Sequence, residues 1–522
     1  MLLAISHESF WIDELWNVYF ASLESVGQLF EALLAPYGSQ TPLHFIYSYI
    51  WGHLFSTSEF VFRLSNLPLF VLGQACLFWA LRSYPRPFGY ALLILSALHP
   101  MVWQYANELR PYIMMYAGAQ MILAYILHIN ASNVIGGSFS PIAPIIFAVG
   151  GILLFGASLI GAFWVGAALI YIGHFHYRRM DLNYLTRRST LLFVGVFIVI
   201  NGMLTIYYLN SLLQGGGGSR LASTTPKTLL FNAYELLGMS GIGPGRLELR
   251  EVGIPSLSPY WGWLAIGFVL ILAPLVMGIH EAKRTLGTRF LIVAIALGVM
   301  PIAIVVFSGF VMHWRVLGRH MFPAIPLLNI LLALGLAKLC ERGRGSAWSL
   351  RSVIAVGFLL TFVYSAVSLR FSERHRKDDY MAAAAIAKQG LADGKRVWWA
   401  ASALGARHYD ITGDFDYMGE LTNIREPYVC IDHAGVQSVS EAAGNCLEQL
   451  KSPDLVILSK PDTFDFRGLI TAYLKAGNFV KTAELPAFTI WQPATARKLP
   501  LSESGPDQFQ QGTSRHPATA GN

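Results

Sequence analysis

The sequence predicts an all-α polytopic membrane protein with a small C-terminal extracytoplasmic α/β domain, and three observations predict it. Hydrophobic residues make up 54% of the 522 and charged residues only 13%, against about 25% charge in a soluble chain. Apolar stretches recur at close to the ~20 residues that a spanning helix needs. Basic residues gather in alternate loops between those stretches. That is an orientation signal, so the formal charge of +7 does not indicate nucleic-acid binding.

Residues 6–63 are aromatic-rich, moderately amphipathic and dotted with acids, and are expected to form a first outer loop. Met1–Ile5 is apolar but too short to span, and no basic start or small-residue cleavage site marks a signal peptide. Spanning helices are expected at about 68–82, 88–105, 111–130, 138–153, 155–174, 189–208, 260–280, 289–308, 321–339 and 350–369. The pair at 138–174, with Pro144 and Gly150-Gly151, reads either as two helices or as one long helix plus a kinked or re-entrant piece.

Loop charge sets the orientation. Arg82 and Arg86, Arg178 to Arg188, Lys283 to Arg289, and Lys338 to Arg351 fall in one set of loops, with few acids beside them. The positive-inside rule places this set in the cytoplasm. Residues 6–63, 106–110, 209–259, 310–320 and everything after about 370 are then outside. An outer first loop calls either for a spanning helix ahead of residue 1 or for a thread-like first segment that inserts late, and a truncated start is the simpler expectation.

The transmembrane unit is expected over 1–370. Residues 371–492 change character and read as a small soluble α/β domain. Strands are expected at Arg396–Ala401, Tyr428–Asp432, Asp454–Leu458 and Thr482–Trp491, and helices at Asp378–Gln389, Ser440–Gln449 and Phe466–Ala476. Residues 493–522 are polar and Pro/Ser/Gly/Gln-rich, the composition of a disordered tail. Four cysteines are too few for a disulfide scaffold. Cys430 and Cys446 could pair if the domain lies outside, but spacing fixes no geometry.

Acids in so apolar a chain are the informative residues, and three clusters share the outer side. The first is Trp11-Ile12-Asp13-Glu14-Leu15-Trp16. A carboxylate at interfacial depth suits a general base, and a second beside it can raise its pKa or orient a substrate. The structural alternative is a helix N-terminus with favourable acids. The second is Asn107-Glu108-Leu109-Arg110-Pro111-Tyr112, in a turn too tight to need such residues. Arg110 has the fork geometry to bind a phosphate, or it simply pairs with Glu108. The third is His313-Trp314-Arg315 with Arg319-His320, bases on the side where positive charge is disfavoured. Gly215 to Gly218 read as a flexible linker, since no strand–Gly–helix context surrounds them. His7, His44 and His53 are scattered, and no metal-ligand spacing occurs.

In their order, these clusters carry a resemblance. The chain resembles the GT-C class of polyprenyl-phosphate-sugar-dependent glycosyltransferases. More narrowly, it is similar to bacterial relatives of dolichyl-phosphate-mannose protein mannosyltransferases and of aminoarabinose transferases. The matching pieces are Asp13-Glu14; Thr41-Pro42-Leu43-His44-Phe45 with Glu59 and Phe62-Arg63-Leu64; Glu108 to Tyr112; and Arg319-His320 followed by Pro323 and Pro326, where His320 replaces the usual Tyr. The likeness covers roughly 6–370 and thins out in the C-terminal domain.

The resemblance implies a GT-C-like helical bundle in a bacterial plasma membrane. It implies transfer of a sugar from a polyprenyl-phosphate donor to an extracytoplasmic lipid, glycan or protein, usually with inversion. Asp13 is then the base or acceptor-orienting residue, and Glu14 and Glu108 support the acceptor side or tune Asp13. Arg110, Arg319 and His320 hold the departing phosphate, where charge builds up. Neither metal nor cofactor is implied. The alternatives are a transporter, a membrane scaffold, or a polysaccharide polymerase or ligase. A transporter calls for broken helices with midplane polar residues in related halves, and no internal repeat is visible.

Overall fold

The computed structural model describes residues 2–34, 41–135, 140–179, 188–213, 223–341, 350–411, 415–418, 428–432, 435–439, 452–465 and 468–494. In a bilayer, backbone polar groups must be satisfied within the segment, and each long apolar stretch in the described residues is helical. Among the described residues, six helices are long and apolar enough to cross a membrane: Glu59–Leu81, Tyr112–Ser132, Thr190–Leu213, Ile254–Thr285, Gly318–Cys340 and Leu350–Phe371. Four shorter apolar helices, Arg86–Leu98, Ala143–Ala157, Gly161–Gly173 and Ala296–Val311, complete the bundle. Tyr112–Ser132 is 94% enclosed and forms the axis, whereas Thr190–Leu213 is only 11% enclosed and lies at the edge. On that edge helix Leu192, Ile198 and Ile206 point outward, as lipid-facing residues do.

One stretch differs in detail from the sequence expectation, and a second takes the two-helix form of the two readings it allowed. The helix expected over 88–105 is two, Arg86–Leu98 and Pro100–Ala106. A residue before proline is driven out of the helical region. His99 accordingly takes φ −56° and ψ 122°, and its Nδ1 accepts from the Met101 N–H at 3.3 Å. The 138–174 stretch is also two helices, Ala143–Ala157 and Gly161–Arg179. Gly150 lets the first lie directly on the axial helix, since a Cβ there would come 2.8 Å from Met121 Cβ.

The segment ahead of the first spanning helix is built of helices. Ile12–Ala21, Val26–Leu34 and Pro42–Leu54 precede the short turn Glu59–Arg63. They are too short and too mixed for the apolar-length signal to find. Their inner faces bury Phe20, Leu29, Leu33, Phe45 and Tyr49 together.

The C-terminal domain carries one sheet. Its strands are β1 (Val397–Ala400), β2 (Phe415–Met418), β3 (Tyr428–Asp432), β4 (Gly435–Val439), β5 (Leu455–Ser459), β6 (Phe479–Leu485) and β7 (Phe488–Pro493). Their order is β4-β3-β2-β1-β5-β7-β6. β1 runs parallel to β2 and β5, and the remaining pairs are antiparallel. The apolar runs Val-Trp-Trp-Ala and Leu-Val-Ile-Leu are buried on both faces, as central strands are. Tyr380–Ala392 covers one face and Leu469–Ala476 the other. The strand expected over Thr482–Trp491 is a hairpin. Pro486 cannot donate to the ladder, and Ala487 turns the chain at φ 65°. The helix expected at Ser440–Gln449, a Cys430–Cys446 pairing, the Gly215–Gly218 linker and the 495–522 tail all lie outside the described residues.

The domain docks on the helices ahead of the first spanning helix. Phe10, Leu15, Phe62 and Leu109 share a core with Tyr380, Ala406 and Trp399. The Tyr409 hydroxyl accepts from the Phe10 N–H at 2.9 Å and donates to Glu59 Oε1 at 3.0 Å. Arg250 reaches Asp462 at 2.7 Å from Nε and Thr463 at 2.8 Å from Nη2. The helix that carries Asp13 is therefore held between the bundle and the soluble domain.

Candidate active site

Helix Ile12–Ala21 starts at Trp11, so Asp13 and Glu14 lie in its first turn, where negative charge is favoured. Adjacent residues on a helix point apart, and these two carboxylates have different fates. Glu14 turns inward and is fully buried. Arg63 grips it with Nε on Oε1 at 2.8 Å and Nη2 on Oε2 at 2.7 Å. The Leu109 N–H donates to Oε1 at 2.7 Å. The same guanidinium donates to the carbonyls of Ser6, Glu8 and Ser9. Arg63 thus fixes the chain from residue 6 to residue 14 and ties it to the 107–110 turn. Burial alone would push the Glu14 carboxyl up; the charges of Arg63 and Lys377 outweigh it and hold it below the ordinary value.

Asp13 turns outward. Its Oδ2 lies 3.6 Å from Arg110 Nη2 and 3.5 Å from Arg319 Nη1. The Asp13, Arg110 and Arg319 side chains are 28%, 18% and 21% exposed, so all three can be reached, unlike Arg63 and Glu14 at 0%. Both guanidinium carbons lie 5.9 Å from the Tyr112 ring centroid, a cation–π arrangement. Arg110 Nη1 also donates to the Asp13 carbonyl at 3.1 Å. Burial pushes the Asp13 carboxyl up, but Arg110, then Arg319, outweigh it and hold it below the ordinary carboxylate range.

Arg319 arrives on a 3₁₀ segment, Gly318–Ala324, that opens the helix Ile325–Cys340. Gly318 is required there: a Cβ would come 2.3 Å from Glu235 Oε2. His320 lies beside Arg319. Its Nδ1 accepts from the Leu317 N–H at 3.0 Å, which leaves Nε2 as the donor of the neutral ring. His313 and Arg315, from the same sequence cluster, are exposed and are not brought to Asp13.

Glu108 is buried and faces a different partner. Its Oε1 lies 3.4 Å from Arg246 Nη1, and its Oε2 has no hydrogen-bond partner. Burial pushes this carboxyl up. Arg246 Nη2 also donates to the Tyr105 hydroxyl at 2.7 Å and to Glu235 Oε1 at 2.9 Å. Glu108 and Arg246, with Lys377 and His375, line a cavity of about 40 Å³, room for about three waters.

Sequence reasoning missed four supporting residues. Arg246 and Glu235 sit in the 209–259 loop, where only an Arg-rich helix of six residues, Arg246–Glu251, hinted at a role. Lys460 comes from the C-terminal domain at φ 31°. It pairs with Asp378 and lies 5.7 Å from the Trp11 ring centroid. His44, which the sequence leaves without a role, is buried with Nδ1 2.9 Å from Asn17 Oδ1, and Asn17 Nδ2 donates to the Asp13 carbonyl at 3.3 Å. Burial, then the Arg110 charge, pushes the imidazole down to about 3, so it is a neutral brace. The described residues hold no group of three or more His, Cys, Asp or Glu fit to bind a metal.

The fold is that of an all-α multi-pass membrane bundle with a small sheet-containing C-terminal domain. One solved structure that shares this fold is that of ArnT from Cupriavidus metallidurans in the apo state. It aligns over 94% of this chain and 95% of its own, at 14% sequence identity and a TM-score of 0.51. Two others align more loosely. The same protein bound to undecaprenyl phosphate gives 15% identity, 95% and 96% coverage and a TM-score of 0.49. The arabinofuranosyltransferase AftD from Mycobacteria gives 14% identity and a TM-score of 0.41, over 94% of this chain and 39% of its own. No family model and no curated protein sequence matches the chain.

Proposed function

We propose that this protein is a membrane glycosyltransferase. It moves a sugar from a polyprenyl-phosphate donor to an extracytoplasmic lipid, glycan or protein acceptor at the outer face of a bacterial plasma membrane. The observation that carries the reading is the convergence of Arg110 and Arg319 on the Asp13 carboxylate at one end of the bundle. Paired guanidiniums at a membrane surface suit a phosphate whose charge grows as its bond to the sugar breaks. A neutral His320 Nε2–H beside them adds a donor for the same oxygens.

The chemistry then runs in one displacement. An acceptor hydroxyl or amine attacks the anomeric carbon. The bond from that carbon to the phosphate oxygen breaks, and its electron pair leaves with the polyprenyl phosphate. The acceptor's proton passes to Asp13, or Asp13 orients the acceptor while water takes it. Glu108 stands behind, paired with Arg246, on the acceptor side. Glu14 acts through Asp13 as a positioning residue.

Two outcomes follow. Arg110→Lys keeps the charge but not the fork. Donor binding to the purified protein should weaken about tenfold, the worth of one charge-assisted hydrogen bond, with folding unchanged. Undiminished affinity would assign Arg110 to holding Asp13 alone. The orientation requires the C-terminal domain outside, so a reporter active only in the cytoplasm, fused after residue 380, should stay silent. An active reporter would reverse the topology and remove the site from the outer face.

A further inference from the structure

Arg110 and Arg319 have more binding capacity than Asp13 uses. Both approach the same oxygen, Oδ2, at 3.6 and 3.5 Å. A charge-assisted N–H···O bond is about 2.7–2.9 Å, so neither guanidinium makes one to the Asp13 side chain. The Nε atoms of both arginines are buried without a partner. By contrast, Glu14, the residue next to Asp13, meets Arg63 in a close fork at 2.8 and 2.7 Å. The loose pair is therefore a property of this seat and not of the region. Two guanidiniums repel one another, and both lie 5.9 Å from the Tyr112 ring centroid. Asp13 turns a single oxygen to both arginines, whereas a donor phosphodiester offers two unesterified oxygens, one for each guanidinium.

We propose that the Asp13 carboxylate is a placeholder for the donor's phosphate: it rests between Arg110 and Arg319 until a phosphate group displaces it, and only then is it free to act on the acceptor. This rests on the reading of the protein as a polyprenyl-phosphate-dependent transferase. It explains how one carboxylate can neutralise two arginines in the resting enzyme and still serve as a base. While paired, Asp13 is a weak proton acceptor, because the surrounding cations Arg110, Arg319, Lys460 and Arg246 favour its ionised form. Once the phosphate takes the two arginines, its negative charge makes the surroundings of Asp13 less positive, and Asp13 becomes a better proton acceptor. Base strength is thereby delivered only when the donor is in place, which protects the enzyme from idle chemistry.

The test is the affinity of the purified full chain for undecaprenyl phosphate, a probe without a sugar. Asp13→Asn and Asp13→Ser remove the competing charge. Each should bind the probe about 5- to 30-fold more tightly than wild type, the worth of two partly exposed ion pairs. Asp13→Glu, which keeps the competitor, should not tighten binding. Arg110→Ala and Arg319→Ala should weaken it. If the neutral variants bind no more tightly while both arginine variants weaken binding, the placeholder is wrong and the phosphate site stands. If the arginine variants bind as wild type does, the phosphate site itself falls, and the placeholder with it.

Discussion

Replacing Asp13 by Asn should lower sugar transfer at least ~100-fold, the lower end of what a general base contributes. The substitution keeps shape and most hydrogen bonding and removes the charge. Its cost to the fold should be small, because the two pairs it breaks are partly exposed and long, and such pairs contribute at most about 1 kcal/mol each. Protein levels in the membrane should therefore be normal. The helix position is secured elsewhere, by Glu14 with Arg63 and by Asn17 with His44. Transfer close to wild type in Asp13→Asn, with folded protein and bound donor, would take Asp13 out of the mechanism.

The second large effect is on stability. Glu14→Gln should destabilise the protein by about 3–5 kcal/mol, because it leaves the fully buried Arg63 charge unpaired. Arg63→Met should cost a similar amount. The double variant should cost clearly less than the sum, since the partners are removed together. Thermal unfolding in one detergent measures all three. Additive losses would mean that the pair is not coupled and that residues 6–14 are held by something else. The pH dependence has a definite sign. The folded carboxyl of Glu14 is held below the ordinary value, so its stabilisation is fully present above about pH 4.3. It is lost as pH falls through the lower folded pKa.

Much of this molecule is legible in the sequence. Apolar length finds the spanning helices, because the bilayer leaves the backbone no other solution. The acids and arginines stand out because they are costly in so apolar a chain. Asp13, Arg110 and Arg319 lie far apart in the chain and still meet. What the sequence hides is which neighbour faces which way. Asp13 and Glu14 are adjacent acids with opposite roles, and only the roll of the helix on Arg63 separates them. Glu108 reads as a partner for Arg110, one turn position away, but pairs with Arg246 from a loop over a hundred residues on. Lys460 reaches Trp11 through the docking of a domain whose own pattern is ordinary α/β. Short helices in the first outer loop were invisible to a length criterion, since Ile12–Ala21 and Val26–Leu34 are 10 and 9 residues long.

The central claim is a sugar moving off a polyprenyl phosphate, and one measurement meets it directly. Membranes containing the wild-type protein are incubated with a panel of polyprenyl phosphates carrying different labelled sugars, beside membranes containing Asp13→Asn. The account predicts that one label leaves its lipid and appears on an extracytoplasmic acceptor, in wild type only, while unlabelled polyprenyl phosphate accumulates. Retention of every label on its lipid by wild type, or equal release by wild type and Asp13→Asn, would contradict it.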